Sequence, residues 1–196
     1  DETASESMAP GGGSISAYVG SLGISLGVMV ANLSSHKRGW DSRWEEFSEW
    51  ADKGTDIQKR LMHLVDEDTN SFNGIMAAFG LPKDSFEEKA ARKDAIENAT
   101  KYAAEVPLQV MKESFNSLEV IQAMAEIGNP SSVTDAGVGA LCARTAVMGA
   151  FLNVKINVAG LNDKEFVENI MGKAQKIAND TNDIERSIMT IVESKI

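Results

Sequence analysis

Residues 10–35 read PGGGSISAYVGSLGISLGVMVANLSS: a proline, three glycines and a serine, then an uncharged segment of small residues from Ile15 to Ser35. Three successive glycines reach backbone geometries closed to other residues. The entropic cost in the folded state has to be offset by a ligand or a tight packing contact. Ser14 is placed to cap a helix whose free N–H groups suit an anion or a carbonyl oxygen. Ser16, Gly20, Gly23, Gly27 and Ala31 fall three or four apart and so share a face that lets another backbone approach closely. The expectation is a helix from about Ser14 to Leu33, ended by His36-Lys37-Arg38-Gly39 with positive charge where the dipole favours it. A membrane-spanning reading meets the length requirement, and Gly23-x-x-x-Gly27 has the form of a helix-dimerisation face. Several serines, Asn32 and the lack of a strongly apolar run weigh against insertion. A buried central helix is expected, with no membrane.

Outward from this segment the periodicity stays helical, with no convincing strand alternation. A second helical region is expected from about Asp41 to Phe79, its apolar stripe running through Trp44, Phe47, Trp50, Ile57, Leu61, Leu64, Val65, Phe72, Ile75, Met76 and Phe79. Gly54 is a candidate break in it. Gly80-Leu81-Pro82-Lys83 ends it, and Ser85-Phe86-Glu87-Glu88 has capping-box spacing for the next helix. Pro107 either kinks that helix or separates it from a successor ending at Gly128-Asn129-Pro130. Thr134 or Asp135 is expected to cap a second small-residue helix, Ala136 to about Val158, and Asp163 a final amphipathic helix to the C-terminus. The fold class read from this pattern is all-α: a multihelical bundle with two central small-residue-rich helices, one domain over residues 1–196.

The 196 residues suffice for a sizeable core, and 43% hydrophobic with 24% charged residues is ordinary for a globular protein. A single cysteine, Cys142, excludes an internal disulfide framework, suits a reducing compartment and is expected to pack as a small apolar residue. The net charge of −10, with no basic stripe, argues against nucleic acid as a partner. Two histidines and one cysteine give no metal set at ligand spacing. The triple glycine is neither a P-loop nor a dinucleotide fingerprint, since no Gly-Lys-Ser/Thr follows and no strand precedes. The start Asp1-Glu2-Thr3 carries no basic n-region and reads as a cut inside a longer polypeptide. The expected location is cytoplasmic.

Two positions depart from plain packing. Stepping by three or four from Leu61, Leu64 and Val65 lands on Asp68 and then on Phe72 and Ile75, which puts a carboxylate on an apolar stripe. Such a group has to be paired, protonated or open to a cavity. It is either a structural aspartate at a helix join or an acid–base group. Asp66 and Glu67 lie off the stripe and are expected to be solvated. On the second small-residue helix, Asp135, Gly139, Ala146, Gly149, Asn153 and Asn157 follow at multiples of three or four. Asp135 and Asn153 stand five full turns apart and point the same way. Amides on such a face either bond a ligand or tie a helix interface, and the interface is the commoner outcome.

These segments together resemble the formiminotetrahydrofolate cyclodeaminase/methenyltetrahydrofolate cyclohydrolase family over nearly the whole chain. The matching parts are Ala9-Pro10-Gly11-Gly12-Gly13-Ser14, Met29-Val30-Ala31-Asn32-Leu33, Leu64-Val65-Asp66-Glu67-Asp68 with Ser71-Phe72, and Leu81-Pro82-Lys83 before Glu87-Glu88-Lys89. Val106-Pro107-Leu108, Gly128-Asn129, and Asp135 ahead of Gly149 to Asn157 complete the order. The sequence departs from the pattern at Thr69-Asn70-Ser71, where an alanine- and acid-rich stretch is usual, and only nine residues precede Pro10.

The resemblance implies a helical domain that binds a tetrahydrofolate derivative as substrate and holds no permanent cofactor or metal. It implies closure of formiminotetrahydrofolate to methenyltetrahydrofolate with release of ammonia, a late step of histidine breakdown in one-carbon metabolism. The alternatives are methenyltetrahydrofolate hydrolysis on the same fold and, in a different class, a non-catalytic oligomerisation module. The catalytic aspartate falls in the segment matching Asp66 to Asp68, and the stripe favours Asp68. The implied substrate contacts are Pro10, Gly11, Gly12, Gly13 and Ser14, with the Gly11–Gly13 loop and helix start holding the pterin or glutamate tail through backbone N–H groups, and Asp135, Asn153 and Asn157 on pterin edges. Lys83, with Lys37 and Arg38, would meet the carboxylates of a glutamate tail, polyglutamylated or not. The implied partners are a formiminotransferase domain or protein, to which this chain would be the C-terminal part, and a second copy in a homodimer or higher homo-oligomer.

Overall fold

A computed structural model describes residues 2–196; Asp1, on which the reading of the chain start partly rests, lies outside the described residues. Among the described residues five helices make the bundle: α1 (Gly12–Ser35), α2 (Trp44–Phe79), α3 (Phe86–Ile127), α4 (Val133–Val158) and α5 (Lys164–Glu193). Short 3-10 turns occupy Glu2–Ala4, Asp41–Arg43 and Pro130–Ser132, and there is no strand among the described residues. The all-α expectation holds. α1 packs on α2, α3 and α4; α4 packs on α1, α3 and α5.

The small residues of α1 are where the other helices cross it. A Cβ at Gly20 would stand 2.6 Å from Ser114 Oγ on α3, 3.2 Å from Ala146 Cβ on α4 and 3.4 Å from Leu61 Cδ1 on α2. Three helices therefore meet one glycine. Gly23 and Gly139 face each other, each Cβ position 2.9 Å from the other's carbonyl oxygen, and Gly149 admits Ser16. The two helices run antiparallel, with the start of α1 beside the end of α4. α1 and the Pro130–Val158 segment are long and apolar enough to cross a membrane, and 56% and 50% of their most apolar windows are buried inside the bundle.

Several boundaries differ from the sequence reading. Gly54 does not break α2; a Cβ there would meet Val28 Cγ2 at 2.5 Å, so the glycine serves close packing against α1. α3 runs unbroken through Pro107. Ser14 does not cap α1: the N-cap is Gly11, with no side-chain bond, and Ser14 lies inside the helix. Neither Thr134 nor Asp135 caps α4, which begins at Val133 after the 3-10 turn. The Ser85–Glu88 capping box and the Asp163 cap, accepting from Phe166 N–H at 3.0 Å, form as expected. Glu67 is half-buried rather than solvated and accepts a hydrogen bond from Tyr102.

Candidate functional site

The start of α1 is the focus. Its first helical bond runs from Ile15 N–H to Gly11 C=O at 3.0 Å, so the N–H groups of Gly12, Gly13 and Ser14 stand ahead of the helical ladder. Asp68, in the last third of α2, crosses to this end. The Ser14 hydroxyl donates to Asp68 Oδ2 at 2.8 Å, and Thr69 Oγ1 lies 3.4 Å from Ser14 Oγ. Gly13 makes the approach possible, because a Cβ there would stand 2.0 Å from Asp68 Oδ1. The third glycine is therefore required by the space a carboxylate occupies. α2 carries Asp68 on the stripe that also brings Phe72 and Ile75, as the spacing predicts.

Together these residues wall a cavity of about 180 Å³. α1 supplies Gly12 and Gly13, with its N-cap Gly11; α2 supplies Asp68, Thr69, Phe72 and Ile75; α3 supplies Ala103; α4 supplies Asn153 and Asn157. The volume is below the roughly 300–1,000 Å³ that encloses a drug-sized ligand, so it fits one part of a larger molecule. Asn153 donates through Nδ2 to Gly149 C=O at 3.0 Å, and Asn157 donates through Nδ2 to Ala103 C=O at 2.6 Å. Each amide keeps its Oδ1 as an acceptor. The walls thus combine backbone donors at the positive end of α1 with acceptors on α2 and α4.

Not every predicted residue comes here. Pro10 sits half-buried at the cavity edge between Ala9 and Gly11. Asp66 is exposed and does not line the cavity. Asp135 lies at the opposite end of α4, roughly 27 Å from Asn153 at the standard helical rise, so it is not a partner of the two amides. Lys83 is exposed in the α2–α3 connection and is absent from the walls. Lys37 and Arg38 follow the far end of α1, roughly 36 Å from the glycines. Periodicity finds the face a residue lies on but not its height along the bundle.

The sequence marks Thr69 only within the Thr69-Asn70-Ser71 departure and does not mark Ala103. Thr69 is adjacent to Asp68, but nothing local marks Ala103, which reaches the cavity only because α3 packs beside α4. Beside the cavity, Tyr102 donates to Glu67 Oε1 at 2.7 Å, and that bond raises the Tyr102 pKa above its ordinary value. Cys142 is half-buried with its thiol pKa raised by burial, consistent with a packing role. No group of three or more metal-ligating side chains occurs among the described residues. A larger groove of about 350 Å³ between α3 and α5 is lined by Glu105, Asp163, Glu165 and Lys173. Asp163 is already engaged there by Lys101 and by Phe166 N–H, and the groove has no comparable convergence of donors and acceptors.

The same arrangement of elements occurs in known proteins. A crystal structure of formiminotetrahydrofolate cyclodeaminase from Thermotoga maritima superposes with a TM-score of 0.87 at 24% identity, over 99% of this chain and 93% of that one. The chain is 32% identical to the methenyltetrahydrofolate cyclohydrolase of Methylorubrum extorquens, over all of its own length and 94% of that protein. It is also 32% identical to the formimidoyltransferase-cyclodeaminase of Rattus norvegicus, over 85% of this chain, and spans 31% of that longer relative. The formiminotransferase-cyclodeaminase family pattern matches residues 1–176. With that match over most of its length, the same bundle, and relatives at this identity, the chain belongs to the formiminotransferase-cyclodeaminase family.

Proposed function

We propose that this chain is a cyclodeaminase that closes formiminotetrahydrofolate to methenyltetrahydrofolate with release of ammonia, and that Asp68 is its acid–base group. The observation that carries the reading is the Asp68 carboxylate held in the cavity against the glycine-lined start of α1. The second folate nitrogen attacks the formimino carbon, and Asp68 takes the proton that this nitrogen gives up. The nitrogen of the tetrahedral adduct then receives a proton from Asp68 and leaves as ammonia as the C–N bond breaks. With one further proton from solvent, the balance is neutral substrate plus a proton giving the methenyl cation and ammonia. General acid–base help of this kind is worth about 10²–10⁴-fold in rate. The ionised carboxylate also faces the cationic product.

In this reading Asn153 and Asn157 accept from pterin N–H groups, and the N–H groups of Gly12 and Gly13 meet pterin oxygen. A separate groove is lined by Lys89, Arg92 and Lys93 and by Gly160 and Asn162. Its three cations, like Lys83 in the α2–α3 connection, are candidates for the tail carboxylates, whereas Lys37 and Arg38 stand at the far end of α1.

A second reading has specific support. The Methylorubrum extorquens relative matches end to end and is named a methenyltetrahydrofolate cyclohydrolase. Hydrolysis adds water at the same carbon and uses the same carboxylate as base. Absorbance at the methenyl band separates the two. Formation of the band from formiminotetrahydrofolate, lost in Asp68→Asn, supports the cyclodeaminase. Decay of added methenyltetrahydrofolate without that formation supports the cyclohydrolase. A folded protein silent in both assays that fails to bind folate supports the non-catalytic module. Activity retained in Asp68→Asn removes Asp68 from the acid–base role.

The same proposal places the reaction in histidine degradation, in the cytoplasm, beside a formiminotransferase domain or protein, as in the fused relatives. It includes self-association. Tyr18, Leu22, Met29 and Leu33 on α1 and Val138, Leu141, Leu152 and Ile156 on α4 are exposed on neighbouring helices. Two such helices side by side present about 700 Å². A standard interface needs about 800 Å² per partner. At a net charge of −10 two copies repel over most of their surface, and this face, uncharged along α1 and bearing only the basic Arg144 and Lys155 beside its apolar residues on α4, is where they can meet.

A further inference from the structure

We infer that Ser14 is the positioning residue for Asp68, with no direct role in capping α1 or holding the folate. This rests on the acid–base reading of Asp68. Ser14 is fully buried, and its hydroxyl has one carboxylate partner, Asp68 Oδ2 at 2.8 Å. A buried hydroxyl that donates to a carboxylate fixes the rotamer of that carboxylate and occupies one of its two oxygens. Asp68 Oδ1 is left over the bare Cα of Gly13, in a cavity wall. The two adjacent residues divide the work: Ser14 holds one oxygen, and Gly13 makes room for the other. Oδ1 is then the oxygen that carries the proton to and from the folate. Thr69 Oγ1, 3.4 Å from Ser14 Oγ, lies where it can orient the hydroxyl toward Asp68.

The test is steady-state kinetics of the native chain, Ser14→Ala, Ser14→Cys and Asp68→Asn, with a thermal melt of each. Ser14→Ala is expected to lower kcat about 10- to 100-fold with KM changed less than about threefold. Ser14→Cys, of similar size but a weaker donor, is expected to fall between. A purely structural tie between α1 and α2 would lower the melting temperature and leave kcat of the folded enzyme in place. That result, with Asp68→Asn inactive, overturns this inference alone. A fall in affinity at constant kcat makes Ser14 a folate contact and also overturns it. A native chain with no turnover on either folate overturns the acid–base reading and this inference together.

Discussion

Asn157 donates through Nδ2 at 2.6 Å to the carbonyl of Ala103, the carbonyl left without its helical partner by Pro107 four residues on. Proline has no N–H, so an interior proline strands the carbonyl one turn back. Here α4 supplies the missing donor, which lets α3 continue unbroken and fixes the Asn157 amide with Oδ1 free at the cavity. A feature that reads in sequence as a helix break acts in the fold as a device for orienting a side chain.

A double-mutant cycle tests this relationship. Asn157→Ala leaves a buried carbonyl unpaired and is expected to cost about 1 to 2 kcal/mol in denaturant unfolding. In a Pro107→Ala background residue 107 regains an N–H for Ala103, and the same substitution is expected to cost much less. The difference is a coupling of about 1 kcal/mol. Equal costs in both backgrounds would show that Asn157 and Pro107 are independent.

Gly13→Ala separates stability from activity. The added Cβ collides with the end of a side chain, which can rotate away, so the fold is expected to melt within a few degrees of native. Asp68 then leaves its bond with Ser14, and kcat is expected to fall at least about tenfold. Kinetics beside a thermal melt of the same sample check both parts. Native kcat in the variant would mean that the close approach of Asp68 to Gly13 is irrelevant to turnover.

The clasp between α3 and α5 predicts a pH dependence. Lys101 donates to Asp163 Oδ2 at 2.6 Å, which holds the Asp163 carboxyl below its ordinary 3.8, and a backbone bond from Phe166 adds to this. Glu97 is held below its ordinary 4.5 chiefly by Asn162. Groups whose folded pKa is lowered contribute stability above the ordinary value and lose it as pH falls through the folded one. Lys101, raised by Asp163, behaves oppositely and loses its share only above its ordinary 10.5. Asp163→Asn keeps a capping side chain but no charge. Its melting temperature is expected to lie below native at pH 7, with the gap closing as pH falls below about 4. A gap unchanged at low pH would assign it to the cap rather than the charge.

Self-association through the exposed α1–α4 face is tested by Leu22→Glu with Leu152→Glu. Both side chains are about half exposed or more, at 46% and 65%, so the monomer fold tolerates them. Two buried carboxylates per copy would oppose association strongly. Light scattering is expected to give a native dimer or larger species and a variant monomer. A native chain that is already monomeric would reject the interface.

The helical class, the capping box at Ser85 and the inward aspartate were legible because each depends on spacing along one chain. Asp68 falls on the same stripe as Leu61 and Leu64, and a stripe survives folding unchanged. The capping role inferred for Ser14 and the shared site inferred for Asp135 did not survive: α1 begins ahead of Ser14, at Gly12, and Asp135 stands five turns from Asn153 along α4 itself. Ser14 has good cap chemistry, yet Asp68 takes its hydroxyl. Asp135 shares a face with Asn153, yet the length of α4 puts it at the other end of the bundle.

By itself the sequence determined that this protein is helical, that α1 and α4 carry small faces able to cross closely, and that one carboxylate on α2 points inward. These follow from local periodicity and residue size. Only the tertiary structure decided that Gly13 lies under Asp68, that Ala103 helps wall the cavity, and that Pro107 is answered from α4 by Asn157. Those pairings depend on the register and depth at which separate helices pack. Register is set by the sum of many contacts across the bundle, which no single stretch of chain encodes.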